Sequence, residues 1–362
     1  MTDSKPRYLQ IYDEILLRIR NQGYLPGDFL PTETELGKEF GASRPTVAKA
    51  LNLLGKEKLV RRKAGFGTQV LAPSQSKLLT GLLVPQILET EIFEPICASI
   101  ANTAGQAGMR VIHPSQLNFA GDLKSVTASL AETFIAEKVK GVFFAPAEHI
   151  PDQQAFNLRL IERFSELGIR VVLLDRDIYP WPRQSPCDLV GIDNIEAGYV
   201  VASHLIASGC RKLAFVSRPN PAATVQLRRI GCREALVQNG LRARSLLTVD
   251  FHKEAPEEAV AELLAEDIDG IICANDATAA PLLRSLLDAG ADIPGTHKVC
   301  GFDDVKYASL LSVPLTTFQQ PCENIGRVAA EVMQYRLKNP DAPFQRITLQ
   351  GKLIIRGSSR KP

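Results

Sequence analysis

The chain has 362 residues, enough for two or three domains of roughly 100–200 residues each, with 45% hydrophobic and 23% charged side chains. This composition excludes a disordered chain, and the 25 Gly and 23 Pro fall without a period, which excludes collagen-like and coiled-coil rods. The net charge of +2 names no partner, but residues 1–72 hold 12 of the 42 basic and 8 of the 40 acidic side chains, so a head of +4 precedes a body of −2, as in a nucleic-acid-binding module carried by something larger.

The first element is a helix with Tyr8, Ile11, Ile15 and Ile19 on one face. Gly23, Pro26 and Gly27 break the chain. Thr32 and Glu35 then form a capping box for a short helix with Leu36 and Phe40 as its apolar positions, ended at Gly41. Ser43 is placed to cap a third helix over 44–57, with Pro45 in its first turn and Val47, Leu51 and Leu54 as its buried stripe. Two short strands follow around the glycine-bearing turn 64–67. Residues 73–79 are polar and read as a linker.

From Gly81 the rhythm changes. Short apolar runs at 81–85, 110–115, 141–146, 170–175, 212–217, 270–275 and 298–304 alternate with stretches of helical periodicity. Nearly continuous apolar runs suit strands buried on both faces, so the pattern is that of parallel βαβ units. Nearly 280 residues exceed one such sheet, which leads to two Rossmann-like lobes. Seven cysteines at 97, 187, 210, 232, 273, 300 and 322 show no CxxC spacing and read as reduced, buried hydrophobes. The N-terminus lacks a secretory pattern, and no apolar run approaches the ~18 residues of a membrane span. The expected location is therefore the cytoplasm, with no membrane partner.

Two helices joined by Gly41-Ala42-Ser43 make a helix-turn-helix, and the strand pair after it a wing. A helix fits the major groove, and its first residues reach base edges. Arg44 and Lys49 are suited to guanine or phosphate, and Ser43 and Thr46 to phosphate at a helix N-terminus. Arg61, Arg62 and Lys63 add charge beside the Gly65–Gly67 turn and Thr68. The string from Pro26 to Val70, with its LPTE, SRPTV and G-x-G-T motifs, closely resembles the DNA-binding domain of GntR-type bacterial transcription regulators. That resemblance implies operator contacts from Arg44, Thr46 and Gly65 or Gly67. Many members carry arginine where this chain has Thr34 and a basic residue where it has Ala48. Lys49 offers partial compensation, since it leaves the helix about 100° further round.

The body resembles LacI/GalR-type regulators and periplasmic sugar-binding proteins. The resemblance rests on GYVVASHLIASGCRKLAFVS at 198–217, Arg228-Arg229-Ile230-Gly231, Ala274-Asn275-Asp276, Gly301-Phe302-Asp303-Asp304 and Pro314-Leu315-Thr316-Thr317. Asp175, Asn275 and Asp303 fall at C-terminal ends of predicted strands, the edge where open α/β sheets bind ligands. Carboxylates and amides pair with neighbouring hydroxyls, and Arg228 donates several bonds from one plane. Phe93 and Gln320 complete the expected effector set, with Tyr179, Trp181 and Phe251 as further stacking candidates. For each single residue a structural alternative stands beside this one: an aspartate capping a helix, an arginine in a surface ion pair, a phenylalanine in the core.

The expected fold is thus α/β: an N-terminal winged helix-turn-helix over 1–72, and a two-lobed periplasmic-binding-protein-like domain with parallel sheets over 80–362. The lobes are expected to exchange chain near residues 190, 318 and 347, giving lobe one as 80–190 with 320–346 and lobe two as 191–316 with 348–357. The layout resembles the arabinose-repressor subgroup and implies a homodimeric repressor on a palindromic operator, with a sugar as effector. No cofactor or metal is expected. There is no G-x-S-x-G or phosphate-binding loop, no lysine in a Schiff-base context, and the five histidines never fall at HxH or HxxxH spacing. A DNA-binding protein whose body only dimerises, or binds a non-sugar metabolite, is the alternative.

Overall fold

The computed structural model describes residues 6–20, 23–57, 59–63, 66–71, 78–85, 91–112 and 122–360. The expected contact Gly65 and most of the expected linker lie outside them. The chain divides into two compact units at Leu78 and Leu79.

The head contains α1 (Arg7–Arg20), β1 (Phe29–Leu30), α2 (Glu33–Glu39), α3 (Arg44–Lys56), β2 (Val60–Lys63) and β3 (Gly67–Val70). Ile11 and Ile15 of α1, Leu36 of α2 and Val47, Ala50, Leu51 and Leu54 of α3 form one core closed by Leu30, Val60 and Val70. The capping box of α2 is present in full: the Thr32 hydroxyl accepts from the Glu35 amide, and the Glu35 carboxylate accepts from the Thr32 amide at 2.7 Å. Ser43 occupies the N-cap position of α3, but its hydroxyl bonds the Thr46 hydroxyl at 2.8 Å in place of a backbone amide. The wing is an antiparallel hairpin, with β1 added along the far side of β3.

In the body, β4 (Leu79–Leu83), α4 (Phe93–Gln106), β5 (Arg110–Ile112), α5 (Leu123–Ala136), β6 (Gly141–Phe144), α6 (Gln153–Glu166), β7 (Arg170–Leu174) and β8 (Asp188–Ile192) open lobe one. Lobe two follows with α7 (Asn194–Ala207), β9 (Leu213–Ser217), α8 (Ala223–Gln238), β10 (Leu247–Asp250), α9 (Pro256–Ala265), β11 (Gly270–Cys273), α10 (Asp276–Asp288), β12 (Lys298–Asp303) and β13 (Thr316–Gln319). The chain then returns through α11 (Cys322–Lys338) and β14 (Arg346–Leu349) before β15 (Lys352–Ile354). Sheet one runs β14-β8-β7-β6-β4-β5, all parallel. Sheet two runs β10-β9-β11-β12-β13-β15, parallel except for the last pair.

These memberships put the chain exchanges after Ile192, Gln319 and Leu349. The expected points near 190, 318 and 347 fall within β8, β13 and β14, because each strand completes its ladder before crossing. The main apolar core runs through both lobes, and a satellite core lies on the far face of each sheet. All seven cysteines are free.

The glycine of the Arg228–Gly231 motif has a packing reason. Helices α7 and α8 cross so closely that a Cβ at Gly231 would collide with the Ile195 carbonyl, and one at Gly198 with the Arg228 carbonyl. The crossing fixes Arg228 to the helix that begins lobe two.

Candidate functional site

The head presents its charge around α3. The Arg44 side chain is 75% exposed, and its Nε donates to Glu33 at 3.0 Å. Arg62 meets the other oxygen of the same carboxylate at 2.5 Å, so Glu33 at the start of α2 aligns a recognition-helix arginine and a wing arginine. Arg61 and Lys63 are exposed, as is Gly67. The Lys49 ammonium lies 3.9 Å from the Tyr8 ring, drawn toward α1. Thr68 does not join the exposed group: it is 8% exposed and opposes Arg62, on the strand face that also carries Val60 and Val70. The two-residue period of the strand turns it inward. The N-terminus of α3, with Thr46 half-buried, offers partial positive charge beside Arg44.

The second group lies between the lobes, at the C-terminal ends of the strands. Asp175 follows β7 and Asp303 ends β12; both have left-handed backbones, with φ of 66° and 109°. Such conformations cost about 1–3 kcal/mol each and gather at functional sites. Arg228 is buried: its Nε donates to Asn194 Oδ1 at 2.9 Å, its Nη1 to the Ala274 carbonyl at 2.6 Å, and its Nη2 stands 3.6 Å from Asp303. The Phe302 ring lies 4.6 Å under the guanidinium. The Gln320 amide donates to the same Asp303 oxygen at 2.8 Å. Asp304 points the other way, to Gln319 and Arg356, each at 2.6 Å.

Two residues not foreseen from the sequence complete the cluster. Arg176 lies 3.9 Å from Asp175, pairs with Glu148 at 2.5 Å and donates Nε to the Pro146 carbonyl at 2.9 Å. Phe93, fully buried at the start of α4, packs its ring 5.3 Å from Arg176. Glu148 also accepts from the Ala222 amide across the cleft at 3.1 Å. The signal for Glu148 was the one used for Asp175, a carboxylate just past a buried strand. Asn275 is placed apart from this mesh by its bonding: its Oδ1 accepts from the Thr278 amide at 2.9 Å and caps α10.

Both flanks of the cleft are bridged. On one, His149 donates its amide to the Asn220 carbonyl at 2.8 Å, and Gln153 donates to the Pro221 carbonyl at 2.8 Å. On the other, Lys306 meets Glu94 at 3.2 Å and its amide donates to Glu91 at 3.2 Å.

Burial and neighbouring charge together set the protonation of the cluster. Burial raises the Asp303 carboxyl to about 6, against the opposing pull of Arg228 and Gln320. Burial also raises Asp175, with Arg176 and Arg228 opposing. Burial works the same way on Glu148, but Arg176, His149 and the Ala222 amide outweigh it and hold that carboxyl below its ordinary value. Two buried acceptors, Asp175 Oδ1 and Gln320 Oε1, have no hydrogen-bond partner. Buried polar atoms are nearly always paired, and these two acceptors are exceptions to that rule.

Residues 7–70 match the bacterial regulatory proteins of the gntR family, and residues 202–359 the periplasmic binding protein-like domain. The chain joins a GntR-type DNA-binding head to a periplasmic-binding-protein-like body. The arabinose metabolism transcriptional repressor of Geobacillus stearothermophilus is 26% identical over 98% of both chains. The ribose operon repressor of Escherichia coli is 27% identical over 67% of this chain and 71% of its own. Among solved structures, a LacI family regulator from Enterococcus faecium with bound ribose aligns at TM-score 0.63 and 24% identity, covering 78% of this chain and 98% of that one. The CelR–cellobiose complex aligns at TM-score 0.65 and 21% identity over 91% and 100%. These likenesses show the fold over the aligned part of the chain. Its relatives are transcription regulators, a class that is not generally enzymatic. No described helix is long and apolar enough to cross a membrane.

Proposed function

We propose that this GntR-headed regulator is a cytoplasmic repressor, without catalytic activity, that binds a palindromic operator as a homodimer and changes its operator affinity when a sugar enters the interlobe cleft. The observation that carries the ligand class is the pair of unpartnered buried acceptors, Asp175 Oδ1 and Gln320 Oε1, beside the fork of Arg228. A polyol supplies hydroxyl donors to the first two and acceptors to the third. The names of its relatives, repressors of arabinose metabolism and of a ribose operon, support the same reading. One winged head gives weak, salt-sensitive binding, and two heads on one palindrome give specificity. Lobe movement around the ligand would reset the spacing of the heads. The coupling is reciprocal: ligand and DNA alter each other's affinity by the same factor, typically about 5–150-fold.

The test is a thermal-melt screen of the full chain against sugars, sugar phosphates, sugar acids and nucleobases. A ligand at ~100 times its dissociation constant adds about 2.7 kcal/mol to the unit it binds. A neutral sugar is expected to shift the larger transition and then alter operator affinity; a shift by nucleobases alone overturns the sugar reading.

Two expectations accompany this. Arg44→Ala should weaken operator binding by about 1–3 kcal/mol, roughly 5–150-fold, and reduce the log–log salt slope by about 0.9 if the arginine also neutralises a phosphate. The sugar-induced melting shift should be unchanged, and loss of both together would refute separate modules. Effector affinity should also depend on pH. Hydroxyl donors favour the ionised Asp303 carboxyl, whose value without ligand is about 6. Affinity should be flat above about pH 7 and fall toward tenfold per unit below 6, as calorimetric titration across that range would show.

A further inference from the structure

A side chamber lies beside Asp175. We infer that this chamber is a second sugar subsite, so that the effector is a disaccharide or glycoside whose outer ring stacks on Trp181. The inference rests on the sugar reading of the inner site.

The chamber has a cavity volume of about 300 Å³, near the lower end of small-molecule sites, and its walls include Asp175, Asn194, Thr224 and Leu227 beside Trp181 and Gln184. It shares a wall with the inner site. Asp175 carries the unpartnered oxygen, Asn194 holds the Nε of Arg228, and Thr224 stands one turn before Arg228 on α8. A ring bound at Asp175 and Arg228 would thus lie next to the chamber, with Asp175 common to both.

Trp181 is 56% exposed, an unusual position for the largest apolar side chain, and it contributes to none of the described apolar cores. Its loop is nevertheless held in place. Asp177 accepts from the Tyr179 amide at 3.1 Å and the Ser185 amide at 3.2 Å, and pairs with Arg346 at 2.6 Å. The indole is thus displayed at the chamber by a pinned loop. An indole face packs on the C–H face of a pyranose while its N–H remains free to donate, the combination a sugar ring satisfies and a purely apolar group does not.

The charges of the chamber select a neutral ring. Asp177 is paired with Arg346; Asp193 caps α7 through the Ile195 and Glu196 amides; Arg183 is stacked 3.9 Å from the Tyr179 ring. Three carboxylates, Asp175, Asp177 and Asp193, line the space against two arginines, Arg183 and Arg346, which disfavours a phosphate or a sugar acid, and Thr224 and Gln184 are among the other lining residues.

Trp181 is the only tryptophan in the chain, so occupancy can be read directly. The full-length protein would be titrated by calorimetry with glucose, galactose, xylose and arabinose, and with maltose, cellobiose, lactose, melibiose and xylobiose. At least one disaccharide should bind tenfold or more tightly than either of its units, and should shift and shield Trp181 fluorescence from acrylamide more than the monosaccharide does. Trp181→Ala should reduce the disaccharide to the affinity of its monosaccharide and leave the latter within about twofold; Trp181→Phe should keep most of the difference. Equal affinities, or a Trp181→Ala effect equal on both ligands or absent from both, overturns the subsite and leaves the inner site standing. Failure of every sugar to bind overturns the sugar reading, and the subsite with it.

Discussion

Arg228→Ala is expected to destabilise the two-lobed body by about 3–5 kcal/mol at pH 8 and to abolish the effector response while operator binding persists. The arginine is the only cation paired to Asp303 among the described residues, and it also satisfies Asn194 Oδ1 and the Ala274 carbonyl. Its removal leaves a buried carboxylate with the Gln320 amide alone. The cost should depend on pH, and the sign follows from Asp303. Its folded-state value of about 6 lies above the ordinary 3.8, so the folded chain holds this proton more tightly than the unfolded one. That contribution is full below about pH 3.8 and is lost as pH rises through about 6. Without Arg228 the value climbs further, so the variant escapes more of its penalty by protonation at pH 5.5 than at pH 8. Chemical denaturation at the two pH values should show a wider gap between wild type and variant at pH 8. A gap of less than 1 kcal/mol, or one equal at both, would remove the Arg228–Asp303 pair from the centre of the cleft.

Most strands legible in the sequence are buried on both faces, with the edge strand β5 read from its run at 110–115 as the exception. β6, β7, β9, β11 and β12 appear as unbroken apolar runs and sit inside their sheets. β10, β14 and β15 lie at sheet edges with half-exposed side chains, and that apolar signal does not mark them. β8 is buried throughout yet was missed; its short run carries Asp188 and Gly191. Both residues are explained by tertiary partners. Asp188 receives the buried Arg336 at 2.7 and 2.9 Å, and a Cβ at Gly191 would press on the Asp175 backbone. The strands end one or two residues beyond the expected exchange points for a related reason: nothing local marks where a ladder ends.

The site was legible where chemistry follows strand ends. Asp175, Arg228, Asp303 and Gln320 converge, and the rule that selected the aspartates needed no contact information. The same rule does not separate a ligand-facing side chain from a capping one: Asn275 caps α10 through its Oδ1, and Glu148, also past a buried strand, pairs with Arg176. In the head, the composition of α3 pointed to Arg44, but only the fold shows Glu33 holding Arg44 and Arg62 together, since those residues are 11 and 29 positions from it.

Gly231→Ala should have the second large effect, and it links the fold to the site. Overpacking typically costs about 1–3 kcal/mol when side chains can yield. Here the added methyl meets the Ile195 carbonyl and the Tyr199 amide, both backbone of α7, so neither neighbour can rotate away and the upper end or more is expected. Relief requires α8 to move off α7. Arg228 lies one turn earlier on α8 and its own carbonyl is the atom closest to Gly198, so that movement draws the guanidinium away from Asn194 and Asp303. The variant should therefore lose effector binding by a factor well beyond its loss of stability at the assay temperature, although residue 231 does not touch the cleft. The melting of the head should be unchanged. Gly240→Ala is the contrasting control: a Cβ there meets nothing within 4 Å, and its φ of 73° makes the substitution strained for backbone reasons alone. It should destabilise the body and leave sugar affinity intact. If the two variants lost affinity in equal proportion to stability, the helix crossing would be a packing feature only, and the position of Arg228 would have to be set by its hydrogen bonds instead.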